Sequence, residues 1–214
     1  MNDSQNHRAK QSIRLEYPPH RLPPFTHPTD IRNLEIIGEV TDIRAIQPLK
    51  GLHWLCLRGG IGRMNGHVTS STLDLRPLAT LPQLRKLLLV YLHNVTNFST
   101  LRTLRHLTVL RIDRCPHFND MRVLEGCRHQ LQILDIHLTA NHIRQLPYFP
   151  KLEQLHCPLP KEVTDLEWLP GVMALTTVGT TRHNDTDNNT GMTGMTGMKD
   201  TVSKVVSKVV SKVV

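Results

Sequence analysis

No apolar run in this 214-residue chain reaches the length of a membrane-spanning helix. The opening residues, MNDSQNHRAK, lack the apolar core of a secretory signal peptide. These two absences predict an intracellular protein, cytoplasmic or nuclear, in a reducing compartment. A glycosylation match such as Asn94-Val95-Thr96 then has no secretory route to serve it. The four cysteines, Cys56, Cys115, Cys127 and Cys157, contain no CxxC pair. Neither a zinc finger nor a disulfide framework is therefore indicated. The formal charge is +8, but basic and acidic residues alternate and no run of like sign occurs. Nucleic-acid binding needs a concentrated patch, so nucleic acid is not an expected partner. None of the 13 histidines stands in an H-E-x-x-H or H-x-E context, and no cofactor is implied.

What the chain does have is a leucine rhythm. Apolar residues fall every third position at Val40, Ile43, Ile46, Leu49, Leu52 and Leu55, then two on at Leu57. The same staircase returns at Val95, Phe98, Leu101, Leu104, Leu107 and Leu110, then Ile112. Three followed by two is neither one helix nor one strand. It describes a coil that turns a corner after each short strand. Taking the first residue of each L-x-L as a landmark gives positions 34, 55, 87, 110, 134, 155 and 178. All the intervals but one run from 21 to 24 residues, a repeat length typical of solenoids. A second mark keeps the same phase: Val40-Thr41-Asp42, Val95-Thr96-Asn97, Phe118-Asn119-Asp120 and Val163-Thr164-Asp165. Its polar residues are suited to cap a short helix or 3₁₀ turn on the outer side.

The exceptional interval, Leu55 to Leu87, contains the glycine-rich stretch Arg58-Gly59-Gly60-Ile61-Gly62-Arg63-Met64-Asn65-Gly66. A strand followed by glycines can open a dinucleotide-binding turn, G-x-G-x-x-G leading into a helix. Here the third glycine comes one residue late, and HVTSST follows, poor in helix formers. Residues 59–72 are expected instead to be an insertion loop, with glycine tolerating positive φ where the chain leaves and rejoins the coil.

On these motifs, residues 22–180 resemble the leucine-rich-repeat superfamily. The unit LRIDRCPHFNDMRVLEGCRHQLQILDI is similar to the cysteine-containing subtype of F-box-type substrate adaptors. The recurring V-T-D also resembles repeats abundant in trypanosomatid proteins. The resemblance implies an α/β solenoid: a curved horseshoe of six to seven coils. Short parallel strands would line its concave face, with irregular, 3₁₀ or short helical segments outside. It implies that Cys115 fills the buried corner usually held by asparagine and that Cys157 is a core residue of its own L-x-L. No F-box, RING or nucleotide-binding module accompanies the repeats.

In such a stack the landmark leucines point inward, so the alternate residues face the concavity. Three columns result. The first holds Asn33, Trp54, Lys86, Val109, Ile133 and Gln154. The second holds Glu35, Cys56, Leu88, Arg111, Asp135 and His156, and the third Ile37, Arg58, Val90, Asp113, His137 and Pro158. Trp54, Leu88, Val90, Val109 and Ile133 form an apolar zone flanked by Arg58, Lys86 and Arg111, the composition that protein interfaces favour. Asp113, Asp135, His137 and His156 share the face and are the candidates for a metal or an Asp–His proton-transfer pair. No serine, cysteine or lysine nucleophile neighbours them in these columns. Arg111 beside Asp135 and Asp113 beside His137 read more simply as solvated cross-strand pairs. The expectation is a non-enzymatic scaffold binding a protein partner. The alternatives are a substrate adaptor in ubiquitin ligation and a truncated or degenerate repeat product.

The ends differ from the middle. Residues 1–21 are polar and proline-containing, and are expected to be disordered. Residues 181–214 form a low-complexity tail in which Thr-Gly-Met and then Ser-Lys-Val-Val each occur three times. The tail suggests disorder or β-type association rather than a membrane helix. No polar cap is legible at either end of the repeats, although an open solenoid end exposes its core. Val178-Gly179-Thr180 reads as a seventh strand begun and abandoned.

Overall fold

A leucine at every third position follows neither the 3.6 period of a helix nor the 2.0 period of a strand. It keeps side chains on the inside of a coil whose backbone bends continually. The computed structural model has this architecture, and describes residues 11–16, 21–59, 72–137, 142, 144–157, 174–177 and 206–208. The ordered elements are β1 (Gln11–Glu16), β2 (Ile31–Ile37), the 3₁₀ turn η1 (Arg44–Ile46) and β3 (Trp54–Arg58). Then come β4 (Leu73–Asp74), η2 (Arg76–Thr80), β5 (Lys86–Val90), β6 (Val95–Thr96) and η3 (Phe98–Thr103). After these follow β7 (Val109–Asp113), η4 (Met121–Gly126), β8 (Ile133–Ile136), β9 (Gln154–His156), β10 (Ala174–Thr177) and β11 (Val206–Lys208).

One strand per coil stacks into a nine-stranded sheet in the order β1-β2-β3-β5-β7-β8-β9-β10-β11. Every pairing from β1 to β10 is parallel, and β11 adds antiparallel to β10. The register runs landmark to landmark, Leu34 to Leu55, Leu87, Leu110, Leu134 and Leu155. All six are fully buried. Behind them the staircase residues Ile43, Ile46, Leu49, Leu52, Leu101, Leu104 and Leu107 fill the coil interiors. Each such side chain stabilises the fold by roughly 1.5–3 kcal/mol relative to exposure. The seventh landmark is Leu175, which stands opposite Leu155, and not Val178. That coil is shorter than the others, so a fixed phase overshoots it by three residues. The abandoned strand read at 178–180 lies outside the described residues.

The outer corners are made by a recurring acid. Asp42, Asp74 and Asp120 each accept a hydrogen bond from the backbone N–H two residues on, at 2.9, 2.9 and 3.0 Å. Each also pairs with the guanidinium of that same residue, Arg44, Arg76 or Arg122. The carboxylates thus stop backbone donors that the first turn of a 3₁₀ segment leaves unpaired. The fourth corner differs. Asn97 is left-handed (φ 61°) and caps nothing, and its amide donates to the Asp74 carboxylate of the preceding coil at 2.8 Å. Beside it, β4 and β6 pair in parallel, and Phe98 and Phe118 meet edge to face with centroids 5.1 Å apart. Val163-Thr164-Asp165 lies outside the described residues.

Two expectations for the ends need correction. Gln11–Glu16, assigned to a disordered segment 1–21, is a strand paired along its length with β2. Its Ile13 and Leu15 pack against the core. β1 therefore covers the end of the stack for which no cap was legible, because two apolar residues among polar ones are enough to close one coil. On its outward positions Arg14 and Glu16 are ion-paired at 2.8 Å, and such charges discourage further edge pairing. At the insertion, the Gly59 N–H still donates to the Val90 carbonyl at 2.8 Å. The excursion thus begins after Gly59, and residues 60–71 lie outside those described. Gly59 is required for a different reason from loop freedom. A Cβ there would stand 3.0 Å from the Tyr91 carbonyl carbon and closer to its oxygen.

Candidate protein-binding face

The parallel register builds the three columns as the alternation implies. Asn33, Trp54, Lys86, Val109, Ile133 and Gln154 are consecutive partners across β2, β3, β5, β7, β8 and β9. Glu35, Cys56, Leu88, Arg111, Asp135 and His156 form the next column. Ile37, Arg58, Val90 and Asp113 form the third. Adjacent members lie about 4.8 Å apart, so neighbouring side chains touch across the sheet.

Trp54, Leu88, Val109 and Ile133 are half-buried, leaving apolar surface on the open face. Lys86 is exposed, and Arg111 keeps 44% of its side-chain surface. Val90 departs from the expectation. It retains 4% of its surface and belongs to the core, flanked in register by the partly exposed Arg58 and Asp113. Cys56 also faces this side yet is 1% exposed. Burial raises its thiol pKa, aided by the Glu35 carboxylate and opposed by Arg58. Arg58 is half-buried, and its Nε has no hydrogen-bond partner among the described residues.

Around Arg111 the polar groups satisfy one another. Its guanidinium lies 3.4 Å from Asp113 and 3.3 Å from Asp135, and Asp113 lies 3.8 Å from His137 Nδ1. Asp135 and His156 are register partners, with His156 Nε2 3.5 Å from Gln154 Oε1. The candidates for metal binding or proton transfer thus share one face, with an arginine between the two aspartates. Among the described residues no group of three His, Cys, Asp or Glu is placed to hold a metal ion. Nor is any helix there long and apolar enough to cross a membrane. Cys115, Cys127 and Cys157 are buried fillers, and burial pushes their thiols up to about 11, about 12 and about 12. The Cys115 Sγ donates to the Leu89 carbonyl at 3.5 Å, tying two coils at the corner.

One feature of this face escapes the column reading. A hydrogen-bond ladder runs one residue before the strands: the His53 N–H to Arg32, Arg85 to His53, Thr108 to Arg85, Gln132 to Thr108 and Glu153 to Gln132, all at 2.8–2.9 Å. It extends the sheet by one row, basic at one end and acidic at the other. At the basic end a groove of about 660 Å³ opens between β1 and β5, lined by Arg14, Arg32, Glu35, Trp54, Arg85 and Lys86 among others. The Arg85-Lys86 doublet was its only signal in the sequence, since Arg14 sat in a segment assigned to disorder.

No protein family's model matches this sequence, and no curated protein matches it. Among solved structures the chain is similar to an internalin from Listeria monocytogenes. The two are 20% identical, with a TM-score of 0.39, over 63% of this chain and 44% of the internalin. This chain therefore spans less than half of that protein's length.

Proposed function

We propose that the chain is a non-enzymatic scaffold that binds a protein partner on the open face of its sheet, the concave side of a leucine-rich-repeat horseshoe. The observation that supports this reading is the cluster of Trp54, Val109, Ile133 and Leu88 on adjacent strands. Their apolar surface stays accessible while Arg111, Asp113 and Asp135 beside them pair among themselves. Interfaces place such half-buried aromatic and aliphatic anchors at the centre and charged residues at the rim. Arg111 and Lys86 then serve as rim contacts. Arg58, half-buried with an Nε unpartnered among the described residues, is a further polar contact at its edge.

The test uses the full chain and its Trp54→Glu, Leu88→Glu and Ile133→Glu variants as baits for a cell lysate, each first shown to fold by circular dichroism. The retained protein is then purified and its Kd measured against every bait. A partner bound by the parent and by an outer-side variant, Arg44→Glu, but weakened at least tenfold by the open-face variants, supports the reading. Equal affinity for all the baits removes it.

A further inference from the structure

The groove at the basic end of the face has a charge imbalance that the rest of the sheet lacks. Its one carboxylate, Glu35, is shared with Arg14, whose Nε lies 3.6 Å away. Arg14 is also held by Glu16 at 2.8 Å. Among the described residues the other cations of the groove, Arg32, Arg85 and Lys86, have no carboxylate ion-paired to them. Arg32 donates from Nη1 to the Thr29 carbonyl at 2.9 Å, and its guanidinium lies over Gly51. Arg85 and Lys86 are exposed and adjacent in sequence, at the start of β5, beside the half-buried Trp54. Three cations without carboxylate partners thus surround an indole.

We infer that this groove binds a short, extended, acidic segment of a protein partner. Carboxylates of the segment contact Arg32, Arg85 and Lys86, and an apolar side chain packs on Trp54. The inference rests on the open face being the docking surface and names the chemistry of what docks there. Three observations favour a peptide over a polynucleotide. First, the positive row is short. Past Arg85 it continues as Thr108, Gln132 and Glu153, neutral and then acidic, so no basic track leads a phosphodiester chain along the sheet. Second, the groove spans only the strands β1, β2, β3 and β5. At about 4.8 Å per strand this is roughly 14 Å, the length of about four extended residues. Third, a single aromatic suits one anchoring side chain better than a series of stacked bases.

The experiment follows fluorescence anisotropy of a labelled peptide, Glu-Glu-Phe-Glu flanked by glycines, titrated with the full chain. Three comparisons accompany it: the same peptide with glutamine for each glutamate, a labelled oligothymidylate, and a series in rising sodium chloride. Saturable binding of the glutamate peptide is expected, at least tenfold tighter than its glutamine counterpart and weakening with salt. Arg85→Glu and Lys86→Glu should each lower the affinity about fivefold or more. Lys151→Glu, which removes a cation bonded to Gln130 far along the sheet, should leave it unchanged. Absence of binding overturns the assignment. So does equal sensitivity to Lys151→Glu, which signals charge without a site. Tighter binding of oligothymidylate also overturns it and makes the groove a polynucleotide site. If the peptide fails while a purified partner still depends on Leu88 and Ile133, only this assignment falls and the broader reading survives.

Discussion

Gly126 closes η4 where that turn stacks on η3 of the preceding coil, and its replacement by alanine tests how closely the coils approach. A Cβ there would stand 2.6 Å from the Arg102 Cα, and closer still to the Arg102 carbonyl carbon and oxygen. Carbon atoms in ordinary contact sit about 3.5–4.0 Å apart. The two turns would thus have to separate by roughly 1 Å. Backbone lies on both sides of the clash, so no side-chain rotation relieves it. Overpacking of this kind costs about 1–3 kcal/mol, against a propensity gain of at most about 1 kcal/mol for alanine. Because backbone meets backbone the cost lies at the upper end, a net loss of about 2 kcal/mol, and with a urea dependence of about 2 kcal/mol per molar the unfolding midpoint should fall by about 1 M. Gly51→Ala is the control, because the atoms nearest its Cβ are the guanidinium end of Arg32, which can swing away. It should stay within about 0.5 kcal/mol of the parent. Urea titrations followed by circular dichroism measure both. A Gly126→Ala variant as stable as the parent, or a Gly51→Ala variant as damaged as Gly126→Ala, would refute the close stacking of η3 and η4.

Three further outcomes follow from the same geometry. The side-chain hydrogen bond from Arg44, with the Arg44 N–H, holds the Asp42 carboxyl at about 2 against an ordinary 3.8. Its stabilisation is complete above pH 3.8 and disappears as the pH falls through 2. Thermal melts should therefore place Asp42→Ala about 1 kcal/mol below the parent at pH 7, with the gap closing between pH 4 and 2, and a gap constant in pH would contradict this. The four buried thiols should resist a disulfide reagent at pH 8 in the native chain and react fully in denaturant; rapid native labelling of Cys115, Cys127 or Cys157 would show that these positions open. Leu110→Ala, at a fully buried landmark, should cost about 2–5 kcal/mol, whereas Leu88→Ala on the half-buried open face should cost clearly less, and equal losses by chemical denaturation would mean the strand register is wrong.

How much of this was legible in the sequence depended on how many coils repeated the signal. The landmark leucines recur six times in phase, so the register from Leu34 to Leu155, the first two columns and the third as far as Asp113 came out as read, while Pro158 lies outside the described residues. The outer corner was legible in part. Of the polar residues read as caps, Asp42 and Asp120 make one, and Asp74 does the same work without a preceding V-T. Asn97 has the right spelling and the wrong conformation, since a left-handed residue cannot turn its amide back to the next N–H. Weakly spelled features were missed. β1 keeps the repeat phase, with Ile13 opposite Leu34 and Leu15 opposite Ile36, but one Ile-Arg-Leu among polar residues is too brief to distinguish from a polar tail. Val90 looked exposed because alternation decides which face a side chain leaves from, but not whether its neighbours cover it.

That distinction bears on the face itself. At the Asp113–Asp135 end, Arg111 has two carboxylates at 3.3–3.4 Å, so a partner recruiting that arginine must displace or outcompete them. Exposed pairs of this kind contribute only about 0–1 kcal/mol, yet their mutual satisfaction leaves little net field to attract a ligand. At the other end Arg85 and Lys86 offer the same guanidinium and ammonium chemistry without an acid beside them. An incoming carboxylate there meets no competitor and adds attraction at long range as well as on contact. On the proposed reading, affinity from apolar contact and selectivity from charge would be separated along one sheet, with Leu88, Val109 and Ile133 supplying the first and the groove around Trp54 the second. A partner engaging both must carry its acidic residues on the side that faces β1. Reversing Lys86 should then change the association rate and its salt dependence, whereas reversing Ile133 should change the dissociation rate.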